Sequence, residues 1–170
     1  MLTLPTVIER AARPYVAIRS TVTMDDLGTV GAEAHDELFR WLAERGIAGD
    51  GLPFFKYDVV DMARSLQMEF GIVTAAPVEG DGRVVAGTLP AGQFASVVYT
   101  GSYADLYDVN AALIGWARER GFTWDSQATP EGERFACRLE IYLTDPALEP
   151  DPNLWETEVA IKIAEADGAG

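Results

Sequence analysis

The sequence predicts an α+β domain: a duplicated β-α-β-β unit forming a curved antiparallel sheet, with two main helices on one side and a ligand groove between the halves. Three observations predict it. Trp41-Leu42-Ala43-Glu44-Arg45-Gly46 returns 75 residues later as Trp116-Ala117-Arg118-Glu119-Arg120-Gly121. Each copy is followed by a loop and two strand-like runs. The hydrophobic fraction of 48% over 170 residues supplies enough apolar surface for one shared core.

The elements follow in order. Tyr15 to Ser20 alternates and is partly β-branched, which predicts a first strand. Met24 to Arg45 reads as a helix, with Ala34, Leu38, Trp41 and Leu42 on one stripe and Gly46 as a left-handed stop. Phe54 to Asp58 and Leu66 to Val73 are the next two strands, closing a first unit over residues 15–75. Gly80-Asp81-Gly82 marks a turn before an edge strand from Arg83 to Leu89, which Pro90-Ala91-Gly92 breaks. The second unit, residues 94–164, opens with a strand from Phe94 to Tyr99. Ser102 is placed to cap the next helix, with Asp105 in the capping-box position. Leu106, Val109, Leu113, Trp116 and Ala117 form that helix's buried stripe, and Gly121 ends it. Phe135 to Leu143 and Trp155 to Ile163 are the last strands, and Glu165 to Gly170 reads as a frayed end. Two copies are too few for a solenoid, so the whole chain, residues 1–170, reads as a single domain.

Composition excludes several function classes. A formal net charge of −14, from 13 Lys+Arg and 27 Asp+Glu, argues against nucleic acid and anionic membrane surfaces. Chiefly it keeps the protein in solution, and it favours cationic or neutral partners. A single cysteine excludes an internal disulfide and points to a reducing compartment. With one histidine and one cysteine, a zinc site of the usual kind cannot be assembled, and no metal or cofactor is expected. Neither a signal peptide nor a membrane-spanning run is visible, so the expected location is the cytoplasm. The acidic loop from Thr144 to Asn153 lacks calcium-loop spacing and reads as a proline-braced solvated turn.

Strand alternation assigns the candidate site. Phe135, Cys137, Leu139, Ile141 and Leu143 share an apolar face, expected to pack on the helices with Cys137 as an inert buried thiol. Arg138, Glu140 and Tyr142 are then expected on the open side of the sheet. Phe55 and Tyr57 share a face in their strand, and Trp155 opens the last one. An aromatic-walled groove with one central carboxylate suits organic cations and flat rings, because aromatic faces attract cations and a desolvated carboxylate supplies the counter-charge. His35, on the first helix's stripe, has Asn110 as its counterpart 75 residues on. Both are expected to make structural hydrogen bonds. Glu69 and Glu158 hold similar places in the two units and are expected to pair with basic residues.

Pro90-Ala91-Gly92, Thr100-Gly101-Ser102-Tyr103, the Trp116–Gly121 helix end, Glu140 to Pro146 and Trp155-Glu156-Thr157-Glu158 resemble the GyrI-like small-molecule-binding family. That family includes effector-binding domains of bacterial multidrug-responsive transcription activators. The resemblance extends from Tyr15 to Ile163 and implies a ligand groove between the halves that takes bulky, often cationic or aromatic compounds. Its groove acid matches Glu140, and the aromatic wall is expected from Phe55, Tyr57, Tyr103, Trp124, Tyr142 and Trp155. With fourteen residues ahead of the first predicted strand, no helix-turn-helix is expected there, and the chain reads as a stand-alone binding protein. Two alternatives follow from the resemblance. One is a hydrolase of reactive cyclopropane-type DNA-alkylating natural products, with Glu140 and Tyr142 orienting or deprotonating a water. The other is an acidic modulator of a basic protein partner such as a topoisomerase. A homodimer is left open.

Overall fold

A computed structural model describes residues 1–49 and 51–166. Among these residues, two α-helices pack on one curled, ten-stranded antiparallel sheet. The strands are β1 (Thr6–Arg10), β2 (Arg13–Val22), β3 (Pro53–Asp61), β4 (Ser65–Val73), β5 (Val84–Leu89), β6 (Gly92–Thr100), β7 (Ser126–Thr129), β8 (Gly132–Phe135), β9 (Arg138–Tyr142) and β10 (Glu156–Lys162). The helices are α1 (Leu27–Glu44) and α2 (Leu106–Glu119). The main sheet runs β1-β6-β10-β9-β3-β4-β2-β5, with the β7–β8 hairpin attached to β3. Thus β2-α1-β3-β4 and β6-α2-β9-β10 follow the same order and meet through the central β3–β9 pair.

The repeated helix ends have one physical cause. Gly46 and Gly121 adopt φ of 63° and 74°, and each completes the same six-to-one closure. Ile47 N–H donates to Leu42 O and Phe122 N–H to Ala117 O, both at 3.0 Å, which turns Ile47 and Phe122 onto the apolar clusters under their helices. Arg45 lies over Trp41 at 4.1 Å and Arg120 over Trp116 at 4.6 Å, so the Trp–Arg–Gly spacing also makes a cation–π lid.

One cross-strand row shows how the helix-facing side is built. Ile18, Phe70, Phe55, Glu140, Val159 and Val97 are successive partners across β2, β4, β3, β9, β10 and β6. Five are apolar and one is an acid. α1 covers one end of this face through Ala34, Leu38, Trp41 and Leu42, and α2 covers the other through Val109 and Leu113. Each large side chain buried here contributes roughly 1.5–3 kcal/mol. The reverse face is equally dry. Tyr15, Phe54, Leu89, Phe94, Leu139 and Ile141 come together there because the sheet curls its two ends toward each other.

Several expectations need correction. The first strand is β1, which pairs with β6 from Thr6 onward. The β7–β8 hairpin has too little apolar alternation to show in the sequence. Residues 24–26 form a turn held by Asp26, whose carboxylate accepts from Thr23 N–H and Oγ, so α1 starts at Leu27. Ser102 caps the 3-10 turn Tyr103–Asp105 that leads into α2, accepting from Ala104 N–H at 3.2 Å, and α2 itself starts after Asp105 without a side-chain cap. Asp105 does not complete a capping box; its carboxylate accepts from the Tyr99 hydroxyl. Trp116 is only partly buried. Within the frayed end, Asp167 to Gly170 lie outside the described residues.

The largest correction concerns 135–143. This run is two strands, broken at Ala136-Cys137. A bulge between Tyr57 and Val59 shifts the register of β3, which pairs with β9 over Phe54–Lys56 and with β8 over Val59–Val60. Phe135 faces the helices as expected, but the break reverses the phase. Cys137, Leu139 and Ile141 therefore fill the reverse face, while Arg138, Glu140 and Tyr142 face the helices.

Candidate ligand-binding cleft

Between α1 and α2 lies a cleft of about 1400 Å³ whose floor is β3 and β9. Glu140 is at its centre and is 5% exposed. Oε1 accepts from Tyr57 OH at 2.6 Å and Tyr142 OH at 3.2 Å, and Oε2 accepts from Asn110 Nδ2 at 3.1 Å. Burial raises its pKa above the ordinary carboxylate range, even though those three hydrogen bonds and the nearby Arg138 favour the anion. Burial, with Glu140 adding to it, likewise pushes both phenols well up, so Tyr57 and Tyr142 remain donors.

The wall is a continuous train of rings. His35 stacks on Phe55 at 5.6 Å, Phe55 meets Tyr142 edge-on at 5.0 Å, Tyr142 meets Tyr103 at 5.2 Å, and Tyr103 meets Trp155 at 4.5 Å. The train crosses from the first unit to the second. His35 donates from Nε2 to Gly71 O at 3.1 Å, and burial lowers its pKa, so it is a neutral ring in the wall. Asn110 donates to Leu106 O at 2.8 Å as well as to Glu140, which uses both amide hydrogens.

Of the sequence-predicted residues, Phe55, Tyr57, Tyr103, Glu140 and Tyr142 line this one cleft. Trp155 stands behind Tyr103, held by its indole N–H to Glu149 O at 2.7 Å. Trp124 is elsewhere: it bridges to Ile163 and packs with the apolar cluster under α2. Sequence reasoning passed over His35, Asn110 and Arg138 as site residues. The signal for the first two was the 75-residue offset, which set two polar side chains at matching places on the buried helix stripes. The mouth is apolar, with Phe39 from α1, Tyr107 from α2 and Leu148 from the acidic loop.

Gly31 lets α1 lie directly against the Phe55 ring. A Cβ there would lie 2.2 Å from the Phe55 ring, which is wedged between His35, Phe70 and Tyr142. Gly31→Ala gains about 1 kcal/mol of helix propensity but overpacks the ring, and a net loss of about 1–2 kcal/mol is expected in urea unfolding. An unchanged or higher midpoint would show that Phe55 yields freely.

Comparison with known proteins gives the family and the fold. A model of the GyrI-like small molecule binding domain matches residues 4–164. The chain belongs to the GyrI-like family. Among curated proteins, none matches it in sequence. Among solved structures, this GyrI-like chain is similar to the C-terminal domain of EcmrR, with a TM-score of 0.73 at 14% identity over 96% of this chain and 98% of that one. It is also similar to EcmrR in a DNA complex, with a TM-score of 0.77 at 14% identity over 96% of this chain; it spans 58% of that longer one. SAV2435 bound to tetraphenylphosphonium gives a TM-score of 0.57 at 10% identity, over 95% of this chain and 94% of that one. A hydrolase from Listeria innocua gives 0.61 at 12%, over 94% and 91%. At these identities the shared property is the fold. Among the described residues, no helix of this GyrI-like chain is long and apolar enough to cross a membrane.

Proposed function

We propose that this chain captures lipophilic, aromatic or cationic small molecules in the cleft between α1 and α2, with Glu140 as the counter-charge. The observation that carries this reading is a buried carboxylate at the centre of an aromatic cleft, held by two phenols and an amide rather than by a cation. Those donors keep the acid in place while leaving its charge for a ligand to complete. The cleft exceeds the usual range for drug-sized ligands, about 300–1,000 Å³, and its ring train tolerates varied shapes. The neighbour SAV2435, seen with tetraphenylphosphonium, supports a lipophilic cation as the first probe. Titration with tetraphenylphosphonium and with an uncharged aromatic of similar size, followed by tryptophan quenching, is expected to give saturable binding that favours the cation. No saturation with either would overturn the reading.

A second reading, hydrolysis, is favoured by one observation. Glu140 has raised proton affinity beside two phenol donors, a combination suited to moving a proton to or from a bound water. Incubation with a reactive cyclopropane-type alkylating compound, followed by mass spectrometry, separates the two: ring-opened product in excess of protein is expected only from the hydrolase.

A further inference from the structure

The floor of the cleft carries a second charge. Arg138 stands two residues before Glu140 on the same face of β9, lines the cleft and is 6% exposed. Its guanidinium lies over the rings of Phe135 and Tyr57, at 5.0 and 5.5 Å. Among the described residues its one hydrogen bond runs from Nη2 to Asn110 Oδ1 at 3.3 Å, and its Nε is buried without a partner. Glu140 and Glu133 act on it only through space: Glu140 is bound by Tyr57, Tyr142 and Asn110, and Glu133 accepts from Ser126 Oγ at 2.7 Å.

A buried guanidinium without a carboxylate is costly, and stacking on two rings recovers only part of that cost. Its planar fork matches a planar carboxylate bidentately, and a carboxylate, unlike a phosphate, is a common anionic group of flat aromatic compounds. Asn110 joins the two charges, donating to Glu140 through Nδ2 and accepting from Arg138 through Oδ1. The cleft floor is therefore dipolar, an acid and a guanidinium separated by one amide, under a common aromatic wall.

We propose that the preferred ligands are aromatic zwitterions, whose cationic group meets Glu140 and whose carboxylate meets Arg138. This rests on the cleft being the ligand site, and it narrows the class: a molecule with only a positive charge leaves the guanidinium unmatched.

Rhodamine B and its ethyl ester test it. Both are flat aromatic cations, and only the acid carries a carboxylate at neutral pH. Fluorescence anisotropy titrations of the wild-type chain are expected to show the acid binding about tenfold tighter than the ester or more. In Arg138→Met, which keeps the length and apolar body of the side chain, that preference is expected to vanish, the acid losing about tenfold relative to the ester. Ester binding equal to or tighter than acid binding in the wild type would overturn the role of Arg138 and leave the cleft reading standing. Persistence of the preference in a folded Arg138→Met variant would do the same. Failure of both dyes to bind the wild type would overturn the cleft reading and this inference together. The wild-type comparison decides even if the variant does not fold.

Discussion

Glu140→Gln is expected to cost tetraphenylphosphonium about 10- to 100-fold in affinity while changing a neutral aromatic less than about threefold. The ratio follows from the environment. In a water-poor cleft, a carboxylate facing an organic cation contributes roughly 1.5–3 kcal/mol, and glutamine keeps the shape but not the charge. Burial raises the Glu140 pKa, so the free protein holds its proton to a higher pH than an exposed carboxylate does. A cation binds the ionised form. Its affinity should therefore rise with pH through that elevated pKa, and neutral ligands should show no such slope. The same burial means that ionisation of Glu140 opposes folding at neutral pH, so Glu140→Gln is expected to raise the melting temperature of the ligand-free protein. Equal losses for cation and neutral probe would remove Glu140 from charge selection.

Lys56→Met is expected to destabilise the fold by about 3–5 kcal/mol near neutral pH. Lys56 is on the reverse face of β3, beside a smaller cavity of about 650 Å³. Its Nζ donates to Glu69 Oε2 at 2.9 Å and also contacts Asp58. Tyr15 OH donates to the other oxygen of Glu69 at 2.8 Å. Glu69 is 3% exposed, so removing the lysine leaves its buried charge with only the exposed Arg19 as a cation, 3.6 Å away. Burial opposes the Glu69 anion, but Asp58, Lys56 and Tyr15 outweigh it and hold the carboxyl down to about 2. Burial and the adjacent Glu69 push Asp58 up to about 7.

The two carboxyls give opposite slopes. Glu69, with its pKa depressed, contributes stability above its unfolded value, and that contribution is lost as pH falls through about 2. Asp58, with its pKa raised, binds a proton in the folded state that the unfolded chain has released. Its contribution therefore fades as pH rises from about 4 toward 7. Urea unfolding at a series of pH values is expected to show stability declining across that window, and Asp58→Asn should flatten the decline. A flat wild-type profile would show that Asp58 is not held protonated beside Glu69.

The expected pairing of the two unit glutamates holds: Glu69 is matched by Lys56, and Glu158 by Arg10. The helix stripes, the glycine stops and the strand order of each unit were legible for a local reason. A Trp–Arg–Gly helix end is written in consecutive residues, and the closure it makes involves only its own last turn. Amphipathic stripes are also local, because 3.6-residue periodicity needs no knowledge of the partner. Glu140 was legible as an acid within an aromatic strand, and its match to a groove acid came from the family resemblance.

What the tertiary structure alone decided is the side of the sheet on which Glu140 stands. Alternation gives relative faces within one unbroken strand, and the bulge near Asp58 with the break at Ala136-Cys137 reverses the phase without any mark in the hydrophobic pattern. Nor does an apolar face identify the helix side, because curling buries both faces of this sheet. The meeting of Glu140, Asn110 and Arg138 is likewise a long-range fact: one helix and one strand, 28 to 30 residues apart, supply the three groups. Sequence determined the units and their chemistry; only the curl and the register of their central pair determined which charges face the cleft.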